Sequence, residues 1–363
     1  MKDCLDLTAI GATDAILEAF QPYEARGLLL GRVSVVHSDR YRLYTARGEM
    51  AAEAIGALLY RLERTAWPAV GDWVAAQPVG PQEAPLEGMI HAVLPRRTIF
   101  SRRAAGDREQ EQAIAANIDL ALIVCGLDGD FNVRRIERYL TLAHASGVDA
   151  AIVLNKADVC PDLNARLDET ARVAGGAPVI AITANTAGGI DPVRRLLGPG
   201  VTIALLGSSG VGKSTLLNQL LGVERQLVRE VRENDSRGRH TTTYRELLPL
   251  PQGGALIDTP GMRELQLWAD QDSLDSAFAE IAALAAECRF RDCSHVVEEG
   301  CAVRAAIEAG ELDASRWESY RKLRGEIAWH VRQTDVQAAQ AQKKKWKAIH
   351  KAMRKDHKRD PRG

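Results

Sequence analysis

Nine consecutive residues, Gly207-Ser208-Ser209-Gly210-Val211-Gly212-Lys213-Ser214-Thr215, combine three glycines, a lysine and paired hydroxyls in the pattern G-x-x-x-x-G-K-[ST]. They follow an apolar run, Val201 to Leu206, and open a segment with Leu216, Leu217, Leu220 and Leu221 at helical spacing. That strand–loop–helix setting is the one in which such a pattern cradles phosphates. Glycines let backbone N–H groups turn inward around a polyphosphate, and the helix N-terminus adds positive potential. Lys213 would reach the β- and γ-phosphates, and Ser214 would offer its hydroxyl to Mg²⁺. The chemistry implied is binding of a nucleoside triphosphate.

A second polar cluster, Asn155-Lys156-Ala157-Asp158, ends the apolar run Ala150 to Leu154. Parallel sheets bind ligands at such strand ends. The Asp158 carboxylate suits the N1–H and N2–H₂ donors of guanine, Asn155 suits the acceptors on its other edge, and the Lys156 stem can cover the ring. Adenine would leave Asp158 unpaired, which is costly. Thr183, Ala184 and Asn185, after a third strand, sit where GTPases carry a loop to the base. Downstream, Arg229 to Thr243 is polar and aperiodic, as expected of a switch that orders around γ-phosphate and Mg²⁺. Either Thr241 or Thr242 would supply a Mg²⁺ hydroxyl. Asp258-Thr259-Pro260-Gly261 follows another short apolar strand, with Asp258 near the metal and the Gly261 amide near the γ-phosphate. Hydrolysis by in-line attack of water is then expected, with Lys213 and Mg²⁺ neutralising charge. Met262 stands where many GTPases carry a water-orienting glutamine, and His240 is a candidate to position water instead, or else an RNA or packing contact. Ordinary GTPases run phosphate loop, switch threonine, D-x-x-G, then N-K-x-D. Here N-K-x-D comes first, so the order is circularly permuted.

Cys288, Cys293, His295 and Cys301 are spaced C-x₄-C-x-H-x₅-C. Three thiolates and an imidazole are a usual tetrahedral Zn²⁺ set, closed and therefore structural. The alternative is buried cysteines beside a surface histidine. The other cysteines, Cys4, Cys125 and Cys160, read as packing residues. A basic tail (Lys343, Lys344, Lys345, Lys347, Lys351, Arg354, Lys355, Lys358, Arg359, Arg362) suits either RNA phosphates or solvent.

The elements that must position these groups read as follows. Residues 1–26 hold a short amphipathic segment (Ile16, Leu17, Phe20) ending at Pro22. Five short strands are expected between 27 and 105, at Leu28–Val36, Tyr41–Tyr44, Ala57–Arg61, Trp73–Ala76 and Met89–Leu94. An oligonucleotide-binding (OB-like) barrel is the expectation. Arg96, Arg97, Arg102 and Arg103 follow it, either facing phosphates or forming a solvated rim. Alternating strands and helices then predict a three-layer α/β domain over 106–272. Helices around the cysteine cluster, at Leu274–Ala286, Ala302–Ala309 and from Ser315, fill 273–335, and the tail is 336–363. The chain has 363 residues, net charge −1, and no apolar run of membrane-spanning length. Near-neutral charge confines any nucleic-acid contact to local patches. With no signal-peptide pattern and few cysteines, a cytoplasmic protein is expected.

The permuted order, Gly238-Arg239-His240-Thr241-Thr242-Thr243, Gly71-Asp72-Trp73-Val74 and Glu111 to Asp119 together resemble the ribosome small-subunit-dependent GTPase A family. The resemblance spans about residues 27–330. It implies a multidomain fold: an N-terminal OB-like β-barrel, a central permuted α/β phosphate-loop GTPase, and a C-terminal α-helical zinc-binding domain. It implies one structural Zn²⁺, Mg²⁺ with GTP, and late maturation of the 30S subunit through 16S rRNA, with hydrolysis releasing the factor. A monomer without membrane contact is expected. The rival readings are an RNA-docking scaffold with a structural GTP site, and a permuted GTPase acting on another RNA or the large subunit.

Overall fold

The computed structural model describes residues 5–37, 40–80, 86–103, 111–129, 131–222, 245–258 and 271–334. Helix α1 (Asp14–Glu24) buries Ile16 and Phe20 and runs two residues past Pro22. Strands β1 (Leu29–His37), β2 (Arg40–Thr45) and β3 (Gly48–Ala54) follow, then helix α2 (Gly56–Arg61), β4 (Trp73–Val79) and β5 (Leu86–Val93). The five strands close in the order β1-β2-β3-β5-β4-β1, with β3 and β5 parallel and every other pair antiparallel. Val33, Leu43, Met50, Val74 and Ile90 fill the interior. The expected strand at Ala57–Arg61 is the helix α2; the third barrel strand is instead Gly48–Ala54. Leucine and alanine are good helix formers in the first segment, whereas Gly-Glu-Met-Ala-Ala-Glu-Ala alternates Met50 and Ala52 inward with Glu49 and Glu53 outward.

A two-stranded sheet, β6 (Ile99–Arg103) with β7 (Glu111–Ala116), leads from the barrel into the α/β layer. That layer comprises β8 (Leu120–Gly126), α3 (Val133–Ala145), β9 (Asp149–Asn155), α4 (Leu163–Ala171), β10 (Val179–Ala181), α5 (Asp191–Arg194), β11 (Thr202–Leu206), α6 (Lys213–Leu221), β12 (Glu246–Pro249) and β13 (Ala255–Asp258). Strands β10, β9, β8, β11 and β13 are parallel in that order, with β12 antiparallel at the end. Their centres are apolar without alternation, because helices cover both faces. Strand β12 also pairs with β1 at Val35 and Glu246, so barrel and α/β sheet are hydrogen-bonded into one.

A polar joint fixes the barrel to the α/β unit. Arg32, 1% exposed, donates to the carbonyls of Ile10, Gly71 and Asn117 and lies 5.1 Å from the Trp73 ring centre. Asn117 donates to the Gly71 carbonyl from a left-handed backbone (φ +56°). Arg96 is no basic rim residue. It pairs with buried Asp72 through two hydrogen bonds of 2.7–2.8 Å and donates to the carbonyls of Thr65 and Trp67. Arg97 pairs with Asp119 at 2.8 Å.

The C-terminal unit contains α7 (Gln271–Ala277), α8 (Ala279–Ala286), α9 (Ala302–Glu308) and α10 (Ala314–Thr334). The one helix expected over Leu274–Ala286 is broken at Phe278, whose φ of −128° and ψ of 47° leave the helical region. This unit docks on α3. Buried Glu137 accepts from Arg316 at 2.7 Å and from Ser319 at 2.5 Å, while Arg316 also reaches Glu280 at 2.6 Å and the Ala277 carbonyl at 3.0 Å. The Arg316 guanidinium sits 4.0 Å from the Phe278 ring centre. One continuous apolar cluster runs from Trp73 through Ile136 and Leu140 to Phe278 and Ile327.

Gly71 shows how tight the barrel joint is: its φ is +89°, and a Cβ would stand 2.2 Å from the Ala116 carbonyl oxygen. Gly71→Ala should therefore cost about 2–5 kcal/mol of stability, combining left-handed strain with overpacking. Gly27→Ala, at φ +78° in open space, should cost only the strain, about 1–2 kcal/mol. Urea unfolding followed by tryptophan fluorescence compares them, and equal losses would contradict the joint.

Candidate functional site

The sequence motifs meet at the carboxyl edge of the parallel strands. Gly207 leaves β11 at φ +141°, and a Cβ there would fall 2.3 Å from the Val124 carbonyl oxygen of β8. Gly210 and Gly212 also have positive φ. A Cβ on Gly212 would stand 2.1 Å from Asn155 Nδ2. Gly207 and Gly212 are thus required by close approach as well as by backbone angle, and Gly210 by backbone angle alone. Val211 is buried; Ser209, Gly210, Ser214 and Thr215 are exposed, the last two in the first turn of α6. Lys213 Nζ donates to the Gly207 carbonyl at 2.7 Å and to the Ser208 carbonyl, and the Ser208 hydroxyl accepts from Arg135 of α3.

Asn155 is 3% exposed. Its Nδ2 donates to the Val211 carbonyl at 2.9 Å, and its Oδ1 accepts from the Ala184 N–H at 3.0 Å. One amide therefore ties the loop of residues 207–212 to the loop after β10. Thr183 is half-buried beside buried Ala184. Lys156 adopts φ +66°, and its Nζ pairs with Asp128 beyond the end of β8. Asp158 is exposed on the following turn, and Asp258 is half-buried at the end of β13. His240, Thr241, Thr242, Gly261 and Met262 lie outside the described residues, as do the basic residues from Lys343 onward.

Some 30 residues further on, the cluster predicted from C-x₄-C-x-H-x₅-C is assembled. The ligand atoms of Cys288, Cys293, His295 and Cys301 all lie within 4.8 Å of one another. His295 Nδ1 is 3.4 Å from both Cys288 Sγ and Cys301 Sγ, and its backbone turns through φ +60°. Trp317 of α10 meets the imidazole edge-on at 5.4 Å. Burial, which would raise the Cys288 thiol, is outweighed by hydrogen bonds from Val303 and Ala302, so its pKa falls below the usual thiol value. Burial lowers His295, which favours the neutral ring that ligates metal. Burial pushes the Cys293 thiol up to about 11, so it is the donor set and the convergence of the four ligand atoms that fit a metal ion.

A family model described as RsgA GTPase matches residues 93–268. The chain is 48% identical to the small ribosomal subunit biogenesis GTPase RsgA of Opitutus terrae, over 96% of this chain and 97% of that one. The chain belongs to the RsgA GTPase family. Against the RsgA of Syntrophotalea carbinolica, identity is 46% over 91% and 92% of the two chains. The crystal structure of YjeQ from Thermotoga maritima superposes with a TM-score of 0.62 at 27% identity, over 83% of this chain and 98% of that one. YloQ, described as a circularly permuted GTPase, gives 0.59 at 25% identity, over 83% and 95%. As an RsgA family member this chain is a GTP-hydrolysing enzyme with a permuted fold, and its Cys₃His cluster could hold a metal ion.

Two side chains that contact these loops, Asp128 and Arg135, were not foreseen. Asp128, two residues past β8 at the same sheet edge, carried a usable signal, since carboxylates there can orient a neighbouring lysine. Arg135 carried none: it reads as one more charge on an amphipathic helix. Asn155→Ala would leave the Val211 carbonyl and the Ala184 N–H unpaired. At about 1–3 kcal/mol per buried group, a loss of about 2–6 kcal/mol is expected. Thermal denaturation measures it, and a loss under 1 kcal/mol would show that the two loops hold together without the amide.

Proposed function

We propose that this chain hydrolyses GTP to GDP and phosphate on the small (30S) ribosomal subunit late in its maturation, and that hydrolysis drives its release. What carries this reading is the tie from Asn155 to Val211 and Ala184. It joins a phosphate-type loop to the loop expected at the base, in a chain whose relatives are named small ribosomal subunit biogenesis GTPases.

In this reading the N–H groups of Gly207 to Thr215 surround the phosphates, and Lys213 exchanges the carbonyls of Gly207 and Ser208 for the β- and γ-oxygens. Asp158 accepts from guanine N1–H and N2–H₂, Asp128 steadies the Lys156 stem over the ring, and Thr183 and Ala184 offer backbone to the base. With both ends of its amide engaged, Asn155 acts first as a strut, keeping one N–H and one lone pair for the base. Ser214, Thr241 or Thr242, and Asp258 would hold Mg²⁺, which supplies charge neutralisation on the transferring phosphoryl group. The Gly261 amide senses the γ-phosphate, and His240 orients water where Met262 cannot. Cys288, Cys293, His295 and Cys301 would hold one Zn²⁺ that stabilises the C-terminal unit. The barrel, the C-terminal unit and the tail contact 16S rRNA, and the protein works as a cytoplasmic monomer. No helix among the described residues is long and apolar enough to cross a membrane.

Phosphate release from GTP, measured alone, with small subunits and with large subunits, tests the reading. Stimulation by small subunits only is expected, falling about 100- to 1000-fold in Lys213→Ala. GTP-dependent co-sedimentation without stimulation would replace enzyme by scaffold, and stimulation by large subunits would reassign the partner. Metal analysis should find one zinc per chain, lost in Cys293→Ser together with a lower melting temperature of the C-terminal unit. Full metal content in that variant would remove Cys293 from the ligand set.

A further inference from the structure

Helix α3 touches two parts of the molecule that are far apart in sequence. Arg134, Glu137 and Arg138 share one face at spacings of three and four residues. Arg134 donates to Glu137 and to the Ser315 hydroxyl, Glu137 accepts from Arg316 and Ser319, and Arg138 pairs with Glu326 at 2.8 Å. All three therefore engage α10 of the C-terminal unit. Arg135 points about 100° away around the helix and hydrogen-bonds the Ser208 hydroxyl. Its own N–H is capped by the Asn132 side chain at 3.2 Å, which holds this first turn in place.

We propose that Arg135 is a positioning residue for the phosphate loop, through which GTP binding and docking of the C-terminal unit on α3 depend on each other. The proposal rests on the loop being the GTP site. The carbonyl of Ser208 accepts from Lys213 while its hydroxyl accepts from Arg135. A Lys213 that turns to phosphate therefore changes the hold on the residue that Arg135 grips. Arg135 reaches Ser208 from the first turn of α3, and that turn is tied through Arg134 to Ser315 of α10, while Glu137 one turn on is held by Arg316 and Ser319. Because a buried charge left without its partner is strongly unfavourable, the Glu137–Arg316 contact resists gradual deformation. The helix then favours one aim of Arg135, set by the docked C-terminal unit. Any such coupling is reciprocal: whatever docks better tightens GTP, and GTP tightens docking.

A double-mutant cycle on the full-length protein tests this, using titration with a fluorescent GTP analogue in the presence of Mg²⁺. Glu137→Gln loosens docking, and Arg135→Ala removes the contact with Ser208. Each alone should weaken binding about three- to tenfold, and the double variant should be no weaker than the weaker single one. Arg135→Lys, which still offers a donor to Ser208, should recover part of the loss. Arg138→Ala, at a half-exposed pair, gives the same comparison if Glu137→Gln lowers the melting temperature enough to obscure binding. Losses that multiply in the double variant would overturn the proposal, as would docking variants that bind GTP like the wild type. A wild-type chain that does not bind the analogue would instead overturn the GTP-site reading on which the proposal stands.

Discussion

Two loops leave the carboxyl edge of this sheet from strands that are not neighbours, and a single buried amide holds them together. Asn155 sits at the end of β9 with the Val211 carbonyl on one side and the Ala184 N–H on the other. Gly212 leaves it room, since any side chain there would overlap Nδ2. The loop of residues 207–212 and the loop after β10 are thereby set at one spacing by groups that cannot be left unpaired inside a protein. The positive backbone angles of Gly207, Gly210 and Gly212, the turn at Lys156 and the Asp128–Lys156 pair all build outward from that strut.

The permuted order changes what the strut is connected to. In this chain Asp258 closes the last parallel strand, and only residues 259–270 separate it from α7, which is part of the unit resting on α3. The C-terminal unit is therefore close to the end of β13 in sequence and is held by side chains of α3. Glu137 and Arg316 form the buried part of that contact, exposed Glu280 adds a contact at its rim, and Phe278 and Tyr320 pack around it. The break at Phe278 makes this packing possible, because it turns α8 away from α7 where the guanidinium of Arg316 lies over the ring.

Much of this was legible in the residues. The glycine-rich turn between β11 and α6, the strand ends that carry Asn155 and Asp258, and the convergence of three cysteines with His295 follow from spacing, because each is a local pattern. Errors arose where local preference and tertiary need diverge. Ala57 to Arg61 looked like a strand in a run of strands, yet its leucines and alanine form α2, while alanine-rich β3 earns its place only by alternating Met50 and Ala52 into the barrel. Arg96 looked like part of a basic rim because nothing near it in sequence announces the buried carboxylate of Asp72. Glu137 and Arg316 are 179 residues apart, so no window along the chain could have shown that they are partners. Gly71-Asp72-Trp73 stands out in the sequence for a packing reason: a close approach at Gly71, the Asp72–Arg96 ion pair, and the Trp73 ring beside Arg32.

The barrel has a further effect on the sheet it adjoins. At one end of the eleven strands the sheet rolls up and closes on itself, and β12 is covered where β1 pairs with it. At the other end the last strand, β10, is only three residues long. Long unpaired strand edges are templates for intermolecular pairing, and among the described residues of this sheet the free end is that short strand. Cutting the chain between barrel and α/β unit would uncover β12 along its barrel-facing side. The barrel therefore also caps that end of the α/β sheet, where Val35 of β1 meets Glu246 of β12.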